Sequence, residues 1–243
     1  MWKFLFEISD RFCAIIPVKK LRDYLRIKIL FDYRRKLNTL KSAYPELNFK
    51  KMRLTKGGGS IVFIINNKYT FKVRKYGHES LNFPRFNHEK RVTDAIRKYC
   101  TIQIPNIELI NIGEYTFYKS DFIPGKLLVN ISTRRIKRYQ KQISKQLAEF
   151  IYKKSFANPR EIADLRKCPA KDGFCWNHGD MCSNILIDPH TMVITGIIDW
   201  EWANYSPIDR EFRGLVWVRK KMRKIGLDTS TRKYYMKILQ SKL

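Results

Sequence analysis

The sequence predicts an α+β chain of two lobes, a small antiparallel-sheet lobe carrying one helix followed by a mainly helical lobe. Three observations carry that prediction. Between Met52 and Gly125, short runs of β-branched and aromatic residues alternate with Gly and Asn turns, the signature of hairpins. One stretch inside this region has helical spacing instead. After Gly125, long Lys- and Gln-rich segments repeat apolar residues at helical intervals, interrupted by one β-branched run. A chain of 243 residues can bury a sizeable core, and its 44% hydrophobic and 14% aromatic content is that of a globular protein.

The elements follow in order. Residues 1–50 form a basic amphipathic segment, with Leu21, Tyr24, Leu25 and then Leu37, Leu40 at helix-like intervals among Lys and Arg. Two readings stand side by side: a helix lying on an anionic membrane surface, or a helix packed on the main domain with its charges solvated. The opening "MWKFLFEISDRFCAIIP" is broken by Lys3, Glu7 and Asp10-Arg11, so neither a secretion signal nor a membrane span of ~18 apolar residues is expected.

Residues 51–124 make the first lobe. "MRLTKGGGSIVFIINNKYTFKVRKY" reads as strand, glycine turn, strand, Asn-Asn-Lys turn, strand. "FPRFNHEKRVTDAIRKYC" reads as a helix burying Phe86, Val92, Ile96 and Tyr99, and "IPNIELINIGEYTFYKSDFIPG" as two further strands. Residues 125–243 make the second lobe: a basic helix "TRRIKRYQKQISKQLAEFIYKKS", then "WNHGDMCSNILIDPHTMVITGIIDWEWA" around a hairpin, then closing helices.

Charge narrows the function. Against 22 Asp+Glu stand 49 Lys+Arg, a formal +27, which implies a polyanionic neighbour such as nucleic acid, an anionic membrane or a phosphorylated substrate. No zinc-finger or RNA-recognition signature supports the nucleic-acid reading. The five cysteines follow no disulfide framework, which fits a reducing cytoplasm. The spacing of Cys168, Cys175 and Cys182 is too wide for a usual zinc site.

Individually the polar motifs have bland readings. Gly57, Gly58, Gly59 and Ser60 make either a tight hairpin turn or a loop whose backbone N–H groups approach phosphate. Lys72 on the next strand can reach phosphate oxygens or simply be solvated, and Glu89 on the following helix can pair with it or face water. Asp180 can accept a proton from an attacking hydroxyl, while Asn184 and Asp199 offer oxygen ligands to magnesium; each also suits an ordinary turn. Their order matters more than any one of them. Glycine turn, Lys, Glu, then Asp, Asn, Asp are the parts of a nucleotide phosphotransferase, whose chemistry needs positioning and charge neutralisation.

Through "GGGSIVF", "YTFKV", "SDFIPG", "HGD", "NILID" and "IIDWE", the stretch from Met52 to Asp209 resembles the aminoglycoside phosphotransferase and choline kinase group of the protein-kinase-like superfamily. The resemblance implies a bilobal kinase-like fold and ATP with Mg2+. It implies that Lys72 contacts the nucleotide phosphates and that Glu89 holds Lys72. Ser120, Asp121, Phe122 and Ile123 would line the adenine site, Asp180 would be the catalytic base, and Asn184 and Asp199 would bind magnesium. His178 and Asp209 would be structural supports.

Some features depart from relatives. Gly179 stands where protein kinases commonly carry an arginine, "DWE" replaces "DFG", and little chain separates Asp199 from Asp209. Asn184 follows Asp180 by four residues where the family has five, which leaves a nucleotide-binding pseudokinase as one alternative. As acceptor, the net charge argues for an anionic sugar and against a cationic aminoglycoside or choline. The short stretch after Asp209 and the basic start resemble kinases of lipopolysaccharide core sugars, placing the chain in the cytoplasm, at the inner face of the membrane. A soluble small-molecule kinase is the other alternative.

Overall fold

Alternation of apolar and polar side chains from Met52 to Asp121 builds five strands: β1 (Met52–Lys56), β2 (Ser60–Ile65), β3 (Tyr69–Arg74), β4 (Glu108–Ile112) and β5 (Tyr115–Asp121). They form one antiparallel sheet in the order β1-β2-β3-β5-β4, in a computed structural model that describes residues 13, 15, 17–56, 59–75, 82–161, 173–216 and 220–242. Asn66 and Asn67 turn the chain between β2 and β3 with left-handed φ of 57° and 54°, a conformation asparagine tolerates.

The two-residue period of a strand decides what each sheet face does. Ile61, Phe63, Ile65, Phe71, Val73 and Phe117 share one face and are fully buried. Helix α2 (Phe31–Ala43) covers that face with Tyr33, Leu37 and Leu40. Burying each such side chain contributes about 1.5–3 kcal/mol. The packed-helix reading of the N-terminal segment therefore describes α2. Helix α1 (Lys19–Ile29) differs: Leu21 and Tyr24 are exposed, as are Ile15, Val18 and Phe31 on either side. On the opposite sheet face Phe86 packs edge-on against Tyr118, ring centroids 5.7 Å apart.

Phe86 belongs to helix α3 (Asn82–Ile96), the helix expected from the sequence. The chain divides into two units, one running to Asn87 and taking in Ile107–Phe122, the other comprising His88–Asn106 and everything from Ile123. This differs from boundaries at 50 and 124. Leu30 to Leu40 belong to the first unit's core, and 88–106 go with the second because Val92, Ala95 and Ile96 are buried there.

The second unit is mainly helical. It contains β6 (Lys126–Leu127), α4 (Thr133–Arg138), α5 (Gln140–Lys154), β7 (Phe174–Asn177), α6 (Met181–Asn184), β8 (Ile185–Ile187), β9 (Ile194–Ile197), β10 (Asn204–Pro207), α7 (Asp209–Gly214), α8 (Lys220–Ile225) and α9 (Leu227–Gln240). Strands β6, β8 and β9 form one small sheet and β7 and β10 another. The single basic helix expected after Ser132 is broken at Tyr139 (φ −104°, ψ 11°). There Gln140 donates instead to the carbonyls of Ile225 (2.7 Å) and Gly226 (3.1 Å), tying the break to the turn before α9. No described helix is long and apolar enough to cross a membrane.

Candidate active site

The loop after β7 is anchored from several sides. His178 is fully buried; its Nδ1 accepts a hydrogen bond from the backbone N–H of Asp180 (3.3 Å). That fixes the tautomer, so Nε2–H donates to the carbonyl of Ile198 (2.9 Å). Burial holds the imidazole below its ordinary pKa of 6.5, outweighing the Glu211 carboxylate, which acts the other way. Gly179 has φ +86°, and a Cβ there would stand 2.4 Å from the Trp202 carbonyl oxygen. Glycine is the residue this turn admits, which accounts for the missing arginine.

Asp180 follows at the start of the one-turn helix α6. Its Oδ1 is buried and makes no hydrogen bond among the described residues. Asn184 donates through Nδ2 to the Asp180 carbonyl (2.9 Å), leaving its amide oxygen as the end that can face a cation. From Asn184 the chain enters the β8–β9 hairpin. Ile185 pairs with Ile197, and the N–H of Ile198 donates to the Asn184 carbonyl at 3.1 Å. The hairpin thus brings Asn184 and Asp199 to one end.

Asp199 has a left-handed φ of 67°, rare for a residue other than glycine. The segment beyond it is pinned by α3. Glu89, fully buried, accepts from the backbone N–H of Trp200 (3.0 Å), and His88 Nε2–H donates to the Ala203 carbonyl (2.7 Å). Trp200 is itself buried, with its indole N–H on the Ile197 carbonyl (3.0 Å) and its ring 4.5 Å from that of His178.

In the first unit, Lys72 lies on the Phe86 side of the sheet, its ammonium 5.6 Å from the ring centroids of both Phe86 and Tyr118. Gly57 and Gly58 lie outside the described residues. Ser60 pairs with Arg74 across β2 and β3, and its buried Oγ has no hydrogen-bond partner among the described residues. Ser120 is buried on β5, Asp121 is exposed, and Phe122 donates its N–H to the Lys68 carbonyl (2.8 Å). Ile123, buried, is where the chain re-enters the second unit.

Comparison with known proteins supplies the class. Residues 111–226 match the model of the phosphotransferase enzyme family. The match indicates that the chain is a kinase-type phosphotransferase. Among solved structures the phosphotransferase is similar to aminoglycoside 2'-phosphotransferase-IIIa in its GDP complex, at 14% identity over 83% of this chain and 86% of that one, TM-score 0.61. It is similar to APH(2")-IIa in a ternary complex with streptomycin and ATP (15% identity, 82% and 81% covered, TM-score 0.61). It is also similar to macrolide 2'-phosphotransferase MphH from Brachybacterium faecium (12% identity, 81% and 83% covered, TM-score 0.58). No curated protein matches the chain. The likeness to these structures shows the α+β, kinase-like fold.

Three residues of the phosphotransferase add to the sequence reading. Asp209 is exposed and pairs with Arg232 (2.8 Å). The buried carboxylate is Glu211 on the same helix. Its Oε2 accepts the backbone N–H of His178 (2.9 Å), and its Oε1 pairs with the ammonium of Lys154 from α5. Both partners are buried, and Lys154 lies 5.3 Å from the Phe150 and Trp200 ring centroids. Helical spacing, which puts Lys154 in line with Phe150, Leu147 and Ile143, was the available signal.

A metal must fit what these residues offer. Among the described residues no three His, Cys, Asp or Glu side chains gather closely enough to hold one alone. Magnesium needs only one or two protein carboxylates when it arrives with nucleotide phosphates. An amide oxygen from Asn184 and a carboxylate from Asp199, oxygen donors only, fit that requirement.

Proposed function

We propose that the phosphotransferase moves the γ-phosphate of ATP to a hydroxyl of an anionic sugar, of the kind found in bacterial surface glycans such as lipopolysaccharide core. The observation that carries the catalytic part is the Asp180 carboxylate, whose Oδ1 is buried without a hydrogen-bond partner among the described residues, in a loop anchored through its neighbours. A carboxylate left so is suited to take a proton from an acceptor hydroxyl. Lys72 would neutralise nucleotide phosphate, Gly57–Ser60 would supply backbone donors, and Ser120–Ile123 would border the base. Asn184 and Asp199 would hold magnesium, whose charge, when bound, offsets that developing on the phosphates.

The anionic acceptor is supported by the formal charge of +27, which repels the cationic aminoglycosides named with the similar structures and attracts sugar phosphates or sugar acids. Exposed Ile15, Val18, Leu21, Tyr24 and Phe31 in a basic segment support peripheral contact with an anionic bilayer. Co-sedimentation with anionic but not neutral vesicles is the expected result for that contact.

The test of function is magnesium-dependent transfer from ATP to a panel of lipopolysaccharide core glycans, sugars, aminoglycosides and amino alcohols, with Asp180→Asn as control. Transfer to an anionic glycan that vanishes in the variant is expected. Transfer indifferent to Asp180→Asn rejects its role as base. Transfer confined to cationic acceptors rejects the anionic sugar, and ATP binding without turnover favours a pseudokinase.

A further inference from the structure

Beside Asp180 the second unit has a cavity of about 380 Å³, lined by Asn177, Gly179, Asn204, Arg210, Arg213 and Gly214. No carboxylate lines it among the described residues. Asn177 already donates to Ser206 Oγ (2.7 Å) and to its carbonyl (2.8 Å), and Asn204 donates to the Trp202 carbonyl (3.1 Å) while accepting from Ser206 Oγ (2.6 Å). The two arginines are different. They lie three apart on α7, hence on neighbouring positions of one helical face, both exposed. Neither makes an ion pair or a side-chain hydrogen bond among the described residues. The carboxylates of the same helix, by contrast, are engaged: Asp209 with Arg232, and Glu211 with Lys154 and the His178 N–H.

The cavity therefore presents two uncompensated guanidinium groups next to the loop that carries Asp180. A guanidinium offers paired N–H donors that match the oxygens of phosphate or carboxylate. Resting on the catalytic role given to Asp180, we propose that Arg210 and Arg213 clamp an anionic group of the acceptor, a sugar phosphate or sugar acid, and present its hydroxyl to Asp180. The acceptor oxygen forms the new bond to the γ-phosphorus as the β–γ bridging O–P bond breaks. ADP leaves and the hydroxyl proton passes to the Asp180 carboxylate. A cationic acceptor meets like charge at this cavity, so the discrimination is local as well as long-range.

The clamp is tested by calorimetric titration of the full chain with glucose 6-phosphate and with glucosamine, comparing native protein with Arg210→Gln/Arg213→Gln. Native protein should bind glucose 6-phosphate at least tenfold more tightly than the double variant, and more tightly than it binds glucosamine. Lysine at both positions keeps the charge but not the fork, and should recover part of the affinity. Equal affinity of native and variant protein, no binding of glucose 6-phosphate, or a native preference for glucosamine overturns the clamp. ATP affinity, titrated likewise, should change less than twofold; a parallel loss assigns the arginines to the nucleotide and also overturns it. Binding does not depend on turnover, so the two readings fail separately. A chain that binds glucose 6-phosphate through these arginines yet never turns over ATP rejects the catalytic reading alone. Asp180-dependent turnover with the arginines irrelevant to binding rejects the clamp alone.

Discussion

Replacing Lys154 by methionine tests the anchoring of the loop that carries Asp180. The ammonium and the Glu211 carboxylate are fully or almost fully buried, so solvent does not screen them. Lys154→Met leaves Glu211 in the interior with the His178 N–H as a hydrogen-bond donor but no counter-charge. Breaking one side of a buried pair typically destabilises by about 3–5 kcal/mol. For a chain of this size that corresponds to a fall in Tm of roughly 6–20 °C. Lys154→Met/Glu211→Leu removes both charges. It leaves mainly the His178 N–H unpaired, which costs about 1–3 kcal/mol, so the double variant should be more stable than the single one. Transfer activity should not return with stability, because the freed N–H lies in the loop that carries Asp180. Thermal and urea denaturation read the first part and ATP-dependent transfer the second. A single variant losing less than 1 kcal/mol, or a double variant losing the sum of the two single losses, refutes the argument.

Three further outcomes are expected. Gly179→Ala combines φ +86° with a Cβ only 2.4 Å from the Trp202 carbonyl, so it should cost about 1–3 kcal/mol and most transfer activity; unchanged Tm and rate count against it. Because burial lowers the pKa of His178 from 6.5, the unfolded chain binds that proton first. The stability this group contributes is then complete above about pH 6.5 and lost on acidification toward the folded pKa, by up to about 1.4 kcal/mol per pH unit. An imidazole NMR signal of His178 titrating near pH 6.5 in the folded chain contradicts this. Burial pushes the Cys175 thiol up to about 12, so mass-mapped alkylation at pH 8 should leave it unmodified until the chain unfolds; equal rates in both states contradict its burial.

The sheet was legible because its hairpins mark themselves. Asn66-Asn67 adopts the left-handed turn its residue types favour, and the alternation Ile61, Phe63, Ile65 places one face in the core. The break at Tyr139 was not legible: no Pro or Gly marks it, and the tie from Gln140 to Ile225 and Gly226 spans most of the second unit's sequence. The fate of residues 17–50 was open for a similar reason. Amphipathic spacing shows that a helix has an apolar face, but not whether a sheet or a membrane covers it. In the candidate site, the order of Asp180, Asn184 and Asp199 singled them out, and the β8–β9 hairpin brings Asn184 and Asp199 to one end. Glu211 and Lys154 did not stand out, because a buried cation is hard to pick out among 49 Lys+Arg, and Asp209 two residues earlier offered the more familiar residue type.

The spacing of Asp180 and Asn184 raised the sharpest doubt, and the geometry of a helical turn answers it. Four residues run just past a turn of 3.6, so positions i and i+4 share a face. In α6 this lets Asn184 Nδ2 reach back to the Asp180 carbonyl at 2.9 Å, keeping the amide within the loop. The Asn184 carbonyl then takes the Ile198 N–H, which starts the β8–β9 pairing at the end where Asp199 stands. Shortening the loop by one residue tightens it into a helical turn and leaves the register of the hairpin intact. The departure in spacing therefore gives no structural reason to regard the site as silent. Asn184→Ala should accordingly loosen Asp180 as well as remove an oxygen donor, a double effect that a pure metal ligand would not produce.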